Sequence, residues 1–176
     1  YIKAKKAFFD RLPKKAFALV NKDDKNGLVM VQNSKADIKT YSLSTAADFK
    51  GKNLDNRFEG LHMMMDHEEV YFRLTGKFNA SNLLAIYGTA VLLGLPKEEV
   101  LIKMSALESA AGRFQVLKND RGCKAIVDYA HTPDALQNVL STIKEIVNQS
   151  AEIITVVGTG GDRDAFNCPV LASTPC

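Results

Sequence analysis

Several classes of function are excluded by what this 176-residue sequence does not contain. No apolar run approaches the ~20 residues that a membrane-spanning helix needs, and no signal peptide opens the chain. Neither sign of charge is in large excess: 23 Lys and Arg against 20 Asp and Glu leave a net charge of +3. The lysines are interspersed with acids, so there is no basic stripe for nucleic acid. The three cysteines, Cys123, Cys168 and Cys176, are odd in number and lack the spacing of metal ligands. They read as inert thiols in a reducing, cytoplasmic setting. There is no internal repeat and no low-complexity tract. A Gly-x-x-x-x-Gly-Lys-Ser/Thr loop is missing as well. The nearest sequence, Gly76-Lys77-Phe78, lacks the leading glycine and the hydroxyl, so the chain brings no cradle of its own for β- and γ-phosphates. The chain starts without methionine inside a helix-like pattern, and Ala172-Ser173-Thr174-Pro175-Cys176 makes an unconvincing domain end; both read as a piece of a longer protein.

What is present is the alternation of an α/β chain, with an ordinary apolar fraction of 46%. Ile2, Ala4, Ala7, Phe8 and Leu12 recur at roughly helical spacing and Pro13 closes the segment. Ala16 to Val20 reads as a buried strand, Asp23 to Gly27 as a turn or cap, Leu28 to Gln32 as a short helix and Lys39 to Leu43 as a strand. From Ala47 to Leu74 the pattern is that of a hairpin. Phe58, Met63 and Met65 lie on one side, and Val70, Phe72 and Leu74 return after Asp66-His67-Glu68. His62, the three methionines and His67 admit a soft-metal reading. Strand packing is the better account, because methionine is a flexible core filler and only one strand face could bind. Asn79 to Leu93 is helical, with Leu83, Leu84, Tyr87, Ala90 and Val91 at three- and four-residue spacing, ended by Gly94 and Pro96. A further helix runs from Lys97 to about Ser109, and Gly112 marks a boundary. Strand Lys124–Asp128, helix Asp134–Asn148 and strand Ile153–Val157 then form a predicted βαβ unit with a parallel sheet.

The most informative stretch is Asp128-Tyr129-Ala130-His131-Thr132-Pro133-Asp134. The apolar run Ala125-Ile126-Val127 stops at an acid, and an aromatic, a histidine and a helix start follow. That is the layout of a strand delivering polar side chains to the carboxyl edge of a sheet, where α/β proteins bind ligands. Thr132 can cap the helix, Pro133 suits its first position and Asp134 its positive end. A plain strand-to-helix connection with a solvated Asp128 and His131 fits the same residues. Asn79 and Asn82, three apart at a helix start, share a face, and their carboxamides both donate and accept. Capping by Asn79 is the alternative, and it leaves Asn82 able to face a ligand. Gly158-Thr159-Gly160-Gly161 looks like a dinucleotide fingerprint, but its third glycine is misplaced and it follows the second strand of the unit. It reads as a close backbone approach to a site, with Asp162, Arg163 and Asp164 following at the sheet edge.

Taken in order, Gly76-Lys77-Phe78-Asn79-Ala80-Ser81-Asn82, Gly112-Arg113-Phe114-Gln115, Asp128 to Pro133 and Thr155 to Asp164 resemble the Mur ligase family. These are ATP-dependent enzymes that form the amide bonds of peptidoglycan precursors. The likeness runs from Tyr1 to about Ala172. The Asp-Tyr-Ala-His-Thr-Pro string is characteristic of the branch that adds the third amino acid to UDP-N-acetylmuramoyl-L-alanyl-D-glutamate. The resemblance implies that residues 1–111 are the C-terminal part of the central ATPase domain. Residues 112–176 would open a Rossmann-like C-terminal domain, with Gly112-Arg113 as the hinge and a nucleotide lying where the two meet. The implied chemistry activates a carboxylate as an acyl phosphate and lets an amine attack it, using ATP and Mg2+.

Lys5, within Tyr1-Ile2-Lys3-Ala4-Lys5-Lys6-Ala7-Phe8-Phe9, falls at the family's carbamylated lysine. A free lysine is a cation with a pKa of ~10.4, and only its neutral amine captures carbon dioxide. Lys3 and Lys6 would favour that neutral form by like-charge repulsion. The product is an anion with two oxygens, suited to magnesium. By itself, Lys5 is a surface lysine on a basic helix face. The resemblance further implies that Asn79 and Asn82 read the adenine edge and that Arg113 reaches phosphate or ribose with its planar five-donor cation. Asp128 would accept from the ribose hydroxyls, with Tyr129 and His131 lining the same cleft. An interdomain ion pair, for which Asp128 is one candidate partner, is the other use of Arg113.

One departure stands out: where the family has basic residues before a proline, this chain has Ala165-Phe166-Asn167-Cys168-Pro169, which puts anion contacts there in doubt. The family places the phosphate loop and the UDP-sugar domain upstream and the motif that selects the amino acid downstream. The chain alone is therefore expected to be inactive. Its parent is expected to be a cytoplasmic monomer acting on the UDP-N-acetylmuramoyl dipeptide and diaminopimelate or lysine, with no nucleic-acid or membrane partner. A folylpolyglutamate synthetase-like ligase shares the architecture; Thr132-Pro133 and the Asn-x-x-Asn spacing favour the first reading. A nucleotide-binding module without chemistry is the third.

Overall fold

The computed structural model describes residues 2–120, 122–147 and 151–158. They fall into two compact units, Tyr1–Glu108 and Ser109–Cys176. The α/β class expected from the sequence is observed in both the element order and the mixed sheet.

The first unit is built on a five-stranded sheet in the order β1-β2-β3-β4-β5. Helix α1 (Ile2–Asp10) precedes β1 (Phe17–Asn21), and the one-turn α2 (Gly27–Met30) carries the chain to β2 (Asp37–Ser42). β1 and β2 run parallel, with Phe17 opposite Asp37 and Asn21 opposite Tyr41. Ala18, Val20, Val31 and Ala36 close a small core, against which Phe9, Leu12 and Ala16 pack. β3 (Phe49–Arg57) pairs parallel with only the end of β2, through Tyr41–Phe49 and Ser42–Lys50. The short loop between them is closed by side chains. The buried Ser42 hydroxyl donates to Asp23 Oδ1 (2.6 Å) and accepts from the Thr45 N–H (2.7 Å). The Asp48 carboxylate takes both the N–H and the hydroxyl of Thr40 (2.8 and 2.7 Å), and those bonds hold its pKa below the usual carboxylate value.

β4 (Gly60–Met65) and β5 (Glu68–Phe72) complete an antiparallel meander. The expected hairpin is therefore three strands, and Phe58 sits in the first turn rather than beside Met63. The Asp66-His67 turn has φ of 46° and 76°, the left-handed pair that a two-residue hairpin requires. Leu61, Met63 and Met65 alternate inward and are essentially inaccessible, as strand packing predicts. His62, on the other face, stacks on Tyr71 (ring centroids 4.0 Å apart) and contacts Glu69. Among the described residues no three His, Cys, Asp or Glu side chains gather as a metal site. Gly60 has φ +145°, and a Cβ there would run into the Phe72 carbonyl. Gly60→Ala is expected to cost ~2 kcal/mol or more through backbone strain at this turn. A thermal midpoint of the full-length protein equal to that of the wild type would show that the turn relaxes freely.

Helix α3 (Lys77–Leu92) lies across the sheet. It buries Ala80, Leu83, Leu84, Tyr87 and Gly88 into the main core with Phe49, Phe72 and the two methionines. Helix α4 (Lys97–Ser105) adds Val100, Leu101 and Met104. It stops at Ser105, four residues before the expected Ser109, and beyond it Glu108 pairs with Arg73 at the surface (2.8 Å).

In the second unit β6 (Gln115–Lys118) pairs antiparallel with β7 (Lys124–Val127), and α5 (Pro133–Ile146) follows. The expected parallel βαβ unit is not formed among the described residues. β7 has an antiparallel partner, and Ile153–Val157 takes no regular structure, with Ile154 and Val156 80% and 93% exposed. A short apolar run has no strand geometry of its own and needs a neighbouring ladder to acquire one. α5 starts as expected, since the Thr132 hydroxyl accepts from the Ala135 N–H (3.3 Å) and Pro133 occupies the first turn. It buries Leu136 and Leu140 against Ala130. Gly160, Gly161, Asp162, Arg163, Asp164 and the stretch 165–169 lie outside the described residues, as do Cys168, Cys176 and the end of the predicted helix at Asn148. Cys123 is an exposed free thiol. Among the described residues no helix is long and apolar enough to cross a membrane.

Candidate functional site

In the second unit the sheet ends at Val127, and the chain then delivers Asp128, Tyr129 and His131 in quick succession. Asp128 is half-buried. Its Oδ2 accepts from the Phe114 N–H at 2.7 Å. Directly after it, the Tyr129 N–H donates to the Gly112 carbonyl (2.9 Å). These two bonds tie the segment Gly112-Arg113-Phe114 to the end of β7. Gly112 has φ +69° with open space around it, a left-handed position that suits glycine. Its N–H donates to Gln115 Oε1 (3.2 Å). Phe114 is also left-handed, at φ +47°, although it carries a fully buried ring. A non-glycine residue held there costs ~1–3 kcal/mol and persists only where its surroundings impose it.

Arg113, between these two, is exposed and projects over Tyr129, with Cζ 5.5 Å from the ring centroid. The alternative in which Arg113 pairs with Asp128 is therefore not the arrangement observed, because that carboxylate turns to the Phe114 amide. The ring holds the guanidinium by cation–π attraction, about 0.5–1 kcal/mol at an exposed site, without neutralising it. The His131 ring lies 5.0 Å from that of Tyr129, and its Nδ1 is 3.0 Å from the Tyr129 carbonyl. A carbonyl only accepts, so this contact places a proton on Nδ1 and leaves Nε2 of the neutral ring as an acceptor. Thus Arg113, Asp128, Tyr129 and His131 form one cluster of a cation, an acid, an aromatic face and an imidazole.

Asn79 and Asn82 sit together in the first unit, at the start of α3. Gly76 occupies the cap position, so Asn79 is not the cap. Its Nδ2 donates back to the Thr75 carbonyl (2.7 Å), which orients its Oδ1 toward Asn82 Nδ2 (3.4 Å). Asn82 is exposed, and its own carboxamide oxygen has no partner among the described residues. Sequence reasoning passed over Ser81 between them. Its hydroxyl is 3.4 Å from Asn21 Nδ2 at the carboxyl end of β1, and it hydrogen-bonds Tyr41, whose hydroxyl pKa burial raises. These contacts pin the helix start to the ends of the parallel strands. Asn21 at the end of an apolar run was the available signal.

Lys5 is exposed on α1. Lys3 and Lys6 stand two residues before it and one after, positions that do not face it on a helix. Lys6 is bound to Asp10 (2.7 Å). A separate open groove runs over the meander, lined by Arg57, His62, Tyr71, Arg73 and Ser105 among others. None of the predicted site residues lines it, and both arginines are already paired, with Asp55 (2.6 Å) and Glu108 (2.8 Å).

Residues 1–90 match the model of the Mur ligase middle domain, and residues 112–172 match that of the Mur ligase glutamate ligase domain. The chain belongs to the Mur ligase family. Among its relatives in the family is the UDP-N-acetylmuramoyl-L-alanyl-D-glutamate–2,6-diaminopimelate ligase of Phocaeicola vulgatus, 58% identical over 172 residues. That alignment covers 98% of this chain and 36% of the relative. The ligase of the same name from Cytophaga hutchinsonii is 56% identical over all 176 residues, again 36% of its own length. A solved structure of a UDP-N-acetylmuramoyl-L-alanyl-D-glutamate–2,6-diaminopimelate ligase superimposes with a TM-score of 0.67 at 32% identity, over 99% of this chain and 37% of that one. This Mur ligase chain thus spans about a third of the length of the curated relatives it matches.

Proposed function

We propose that the full-length protein is an ATP-dependent ligase that joins 2,6-diaminopimelate to the D-glutamate carboxylate of UDP-N-acetylmuramoyl-L-alanyl-D-glutamate. The single observation that carries this reading is the 58% identity to a ligase of that name across 98% of the chain. Residues 1–111 belong to the central ATPase domain in this reading, and residues 112–176 to the C-terminal domain. The enzyme works as a cytoplasmic monomer, and the isolated segment is inactive because the phosphate loop lies elsewhere in the parent.

The donor set fits a nucleotide. Arg113 carries a cation that no carboxylate balances among the described residues, as a phosphate requires. Asp128 uses one oxygen on Phe114 and keeps the other for a ribose hydroxyl. In the first unit, taken by itself, Asn79 and Asn82 carry carboxamide atoms of both kinds, which reading an adenine edge requires. Tyr129 and His131 supply a stacking face and an acceptor. A magnesium ion takes oxygen ligands, carboxylate-like anions among them. A carbamate on Lys5 would be such a ligand. The ion supplies neutralisation of charge on the phosphoryl oxygens. A glutamate oxygen takes the γ-phosphoryl group with loss of ADP, the amine of diaminopimelate attacks the acyl phosphate, and inorganic phosphate leaves.

The test is phosphate release by the full-length protein with the UDP-N-acetylmuramoyl dipeptide, ATP and one amine at a time. Release with diaminopimelate at least ~10-fold faster than with lysine is expected from a pocket built for its extra carboxylate. Turnover with a folate and glutamate instead would establish the folylpolyglutamate reading, and no turnover with any pair would leave a binding module.

A further inference from the structure

We propose that Asp128 is a positioning residue for Arg113. Its carboxylate holds the Phe114 N–H, and that bond fixes the left-handed turn which lays the Arg113 guanidinium on Tyr129. Four observations meet here. The Asp128–Phe114 bond, at 2.7 Å, is short for an amide donor and falls in the charge-assisted range. Phe114 is left-handed at φ +47° and fully buried, so its backbone is held against its own preference. Arg113 lies directly between Gly112 and Phe114, and the backbone groups on both sides of it are tied to Asp128 and Tyr129. Its guanidinium then stands 5.5 Å from the centroid of the ring that follows Asp128 in sequence.

Without the carboxylate the Phe114 N–H would lose this acceptor, and the turn would lose a short bond that opposes its relaxation to negative φ. A change of that size at residue 114 swings the direction of the residue before it. Asp128 therefore acts with two hands. Oδ2 shapes the turn, while Oδ1, which has no partner among the described residues, remains open to a ligand. The consequence for ATP rests on the ligase reading; the placement of Arg113 does not.

The experiment uses the full-length protein with selectively labelled phenylalanine and arginine, in the wild type and in Asp128→Ala, Asp128→Asn and Arg113→Ala variants. NMR reads hydrogen exchange of the Phe114 amide and the upfield ring-current shift that Tyr129 imposes on the Arg113 δ protons. Steady-state kinetics read KM for ATP against kcat. The wild type is expected to show a protected Phe114 amide and a shifted Arg113. Asp128→Ala abolishes both signals and raises KM for ATP by ~10-fold with a smaller change in kcat. Asp128→Asn, which retains an acceptor, keeps both signals and stays within ~3-fold in KM. The double variant Asp128→Ala/Arg113→Ala raises KM by clearly less than the product of the single effects. Loss of both signals with KM unchanged would uphold the positioning and discard the nucleotide role of Arg113. An unprotected Phe114 amide in the wild type overturns the proposal whether or not any variant folds. So does an Arg113 shift that survives Asp128→Ala, or single effects that multiply.

Discussion

If Lys5 carries the proposed carbamate, Lys5→Ala in the full-length protein is expected to lower kcat by ~10²–10³-fold, the usual cost of removing one preorganised group that stabilises charge in a transition state. The expectation follows from ligand chemistry. A protein oxygen that helps to hold a magnesium ion on transferring phosphate would affect the rate in this way. An alanine cannot form a carbamate. The space it leaves can be filled from solution, so bicarbonate or a short carboxylic acid should restore part of the rate in Lys5→Ala and do nothing for the wild type. Lys6→Ala is the contrast. It loses the part-buried i,i+4 ion pair to Asp10 on α1, of a kind that contributes about 0.5 kcal/mol. A Lys5→Ala enzyme with the wild-type rate, or one equally slow with and without added carboxylate, would remove the carbamate from the mechanism.

The sequence was informative where a single periodicity decided the outcome. α3 is apolar at three- and four-residue spacing, and the stripe of Leu83, Leu84 and Tyr87 is the one that the sheet buries. Met63 and Met65 alternate inward for the same reason. Thr132-Pro133 carries its capping geometry in two adjacent residues. The misses are of another kind. β6 is four residues long and only half-covered, so no pattern marks it. Ile153–Val157 has a strand's composition, but pairing is a property of two segments, and β7 pairs with β6 instead. The Ser42–Asp23 bond joins positions nineteen apart, and the Phe114–Asp128 bond joins positions fourteen apart. Neither spacing repeats, so neither leaves a trace that a period could reveal. For the candidate site, the motifs Gly112-Arg113-Phe114-Gln115 and Asp128-Tyr129-Ala130-His131 were each visible. That the acid would bond to a phenylalanine amide, and the arginine to a tyrosine ring, was not, because both choices depend on a positive φ at a residue that is not glycine.

Tyr87→Ala is expected to destabilise the unit that carries α3 by ~3–5 kcal/mol, the range for truncating a buried aromatic. Tyr87 is wholly inaccessible, and its ring meets Phe49 edge-on, with centroids 6.0 Å apart at 88°. Its hydroxyl donates to Asp66 Oδ2 (3.1 Å), the same oxygen that Lys97 reaches at 2.9 Å. The side chain therefore fills the core and also fixes the β4–β5 turn to the helix. Tyr87→Phe separates the two parts. It keeps the ring and costs only ~1–2 kcal/mol, because Lys97 still satisfies the Asp66 carboxylate. The two variants also differ with pH. Burial first, and the Asp66 charge second, push the Tyr87 hydroxyl above its ordinary range near 10. Below that range both folded and unfolded chains keep the proton, and the contribution to stability is complete. As pH rises past the unfolded value, the unfolded chain releases its proton and the folded one does not, so stability falls with pH until the folded value is passed. Tyr87→Phe has no such proton and should lose less stability above pH ~10 than the wild type does. Hydrogen exchange of the α3 amides, followed from neutral to alkaline pH in the full-length protein, reads both effects. Parallel pH slopes in wild type and Tyr87→Phe would mean that this hydroxyl is not held protonated by its site.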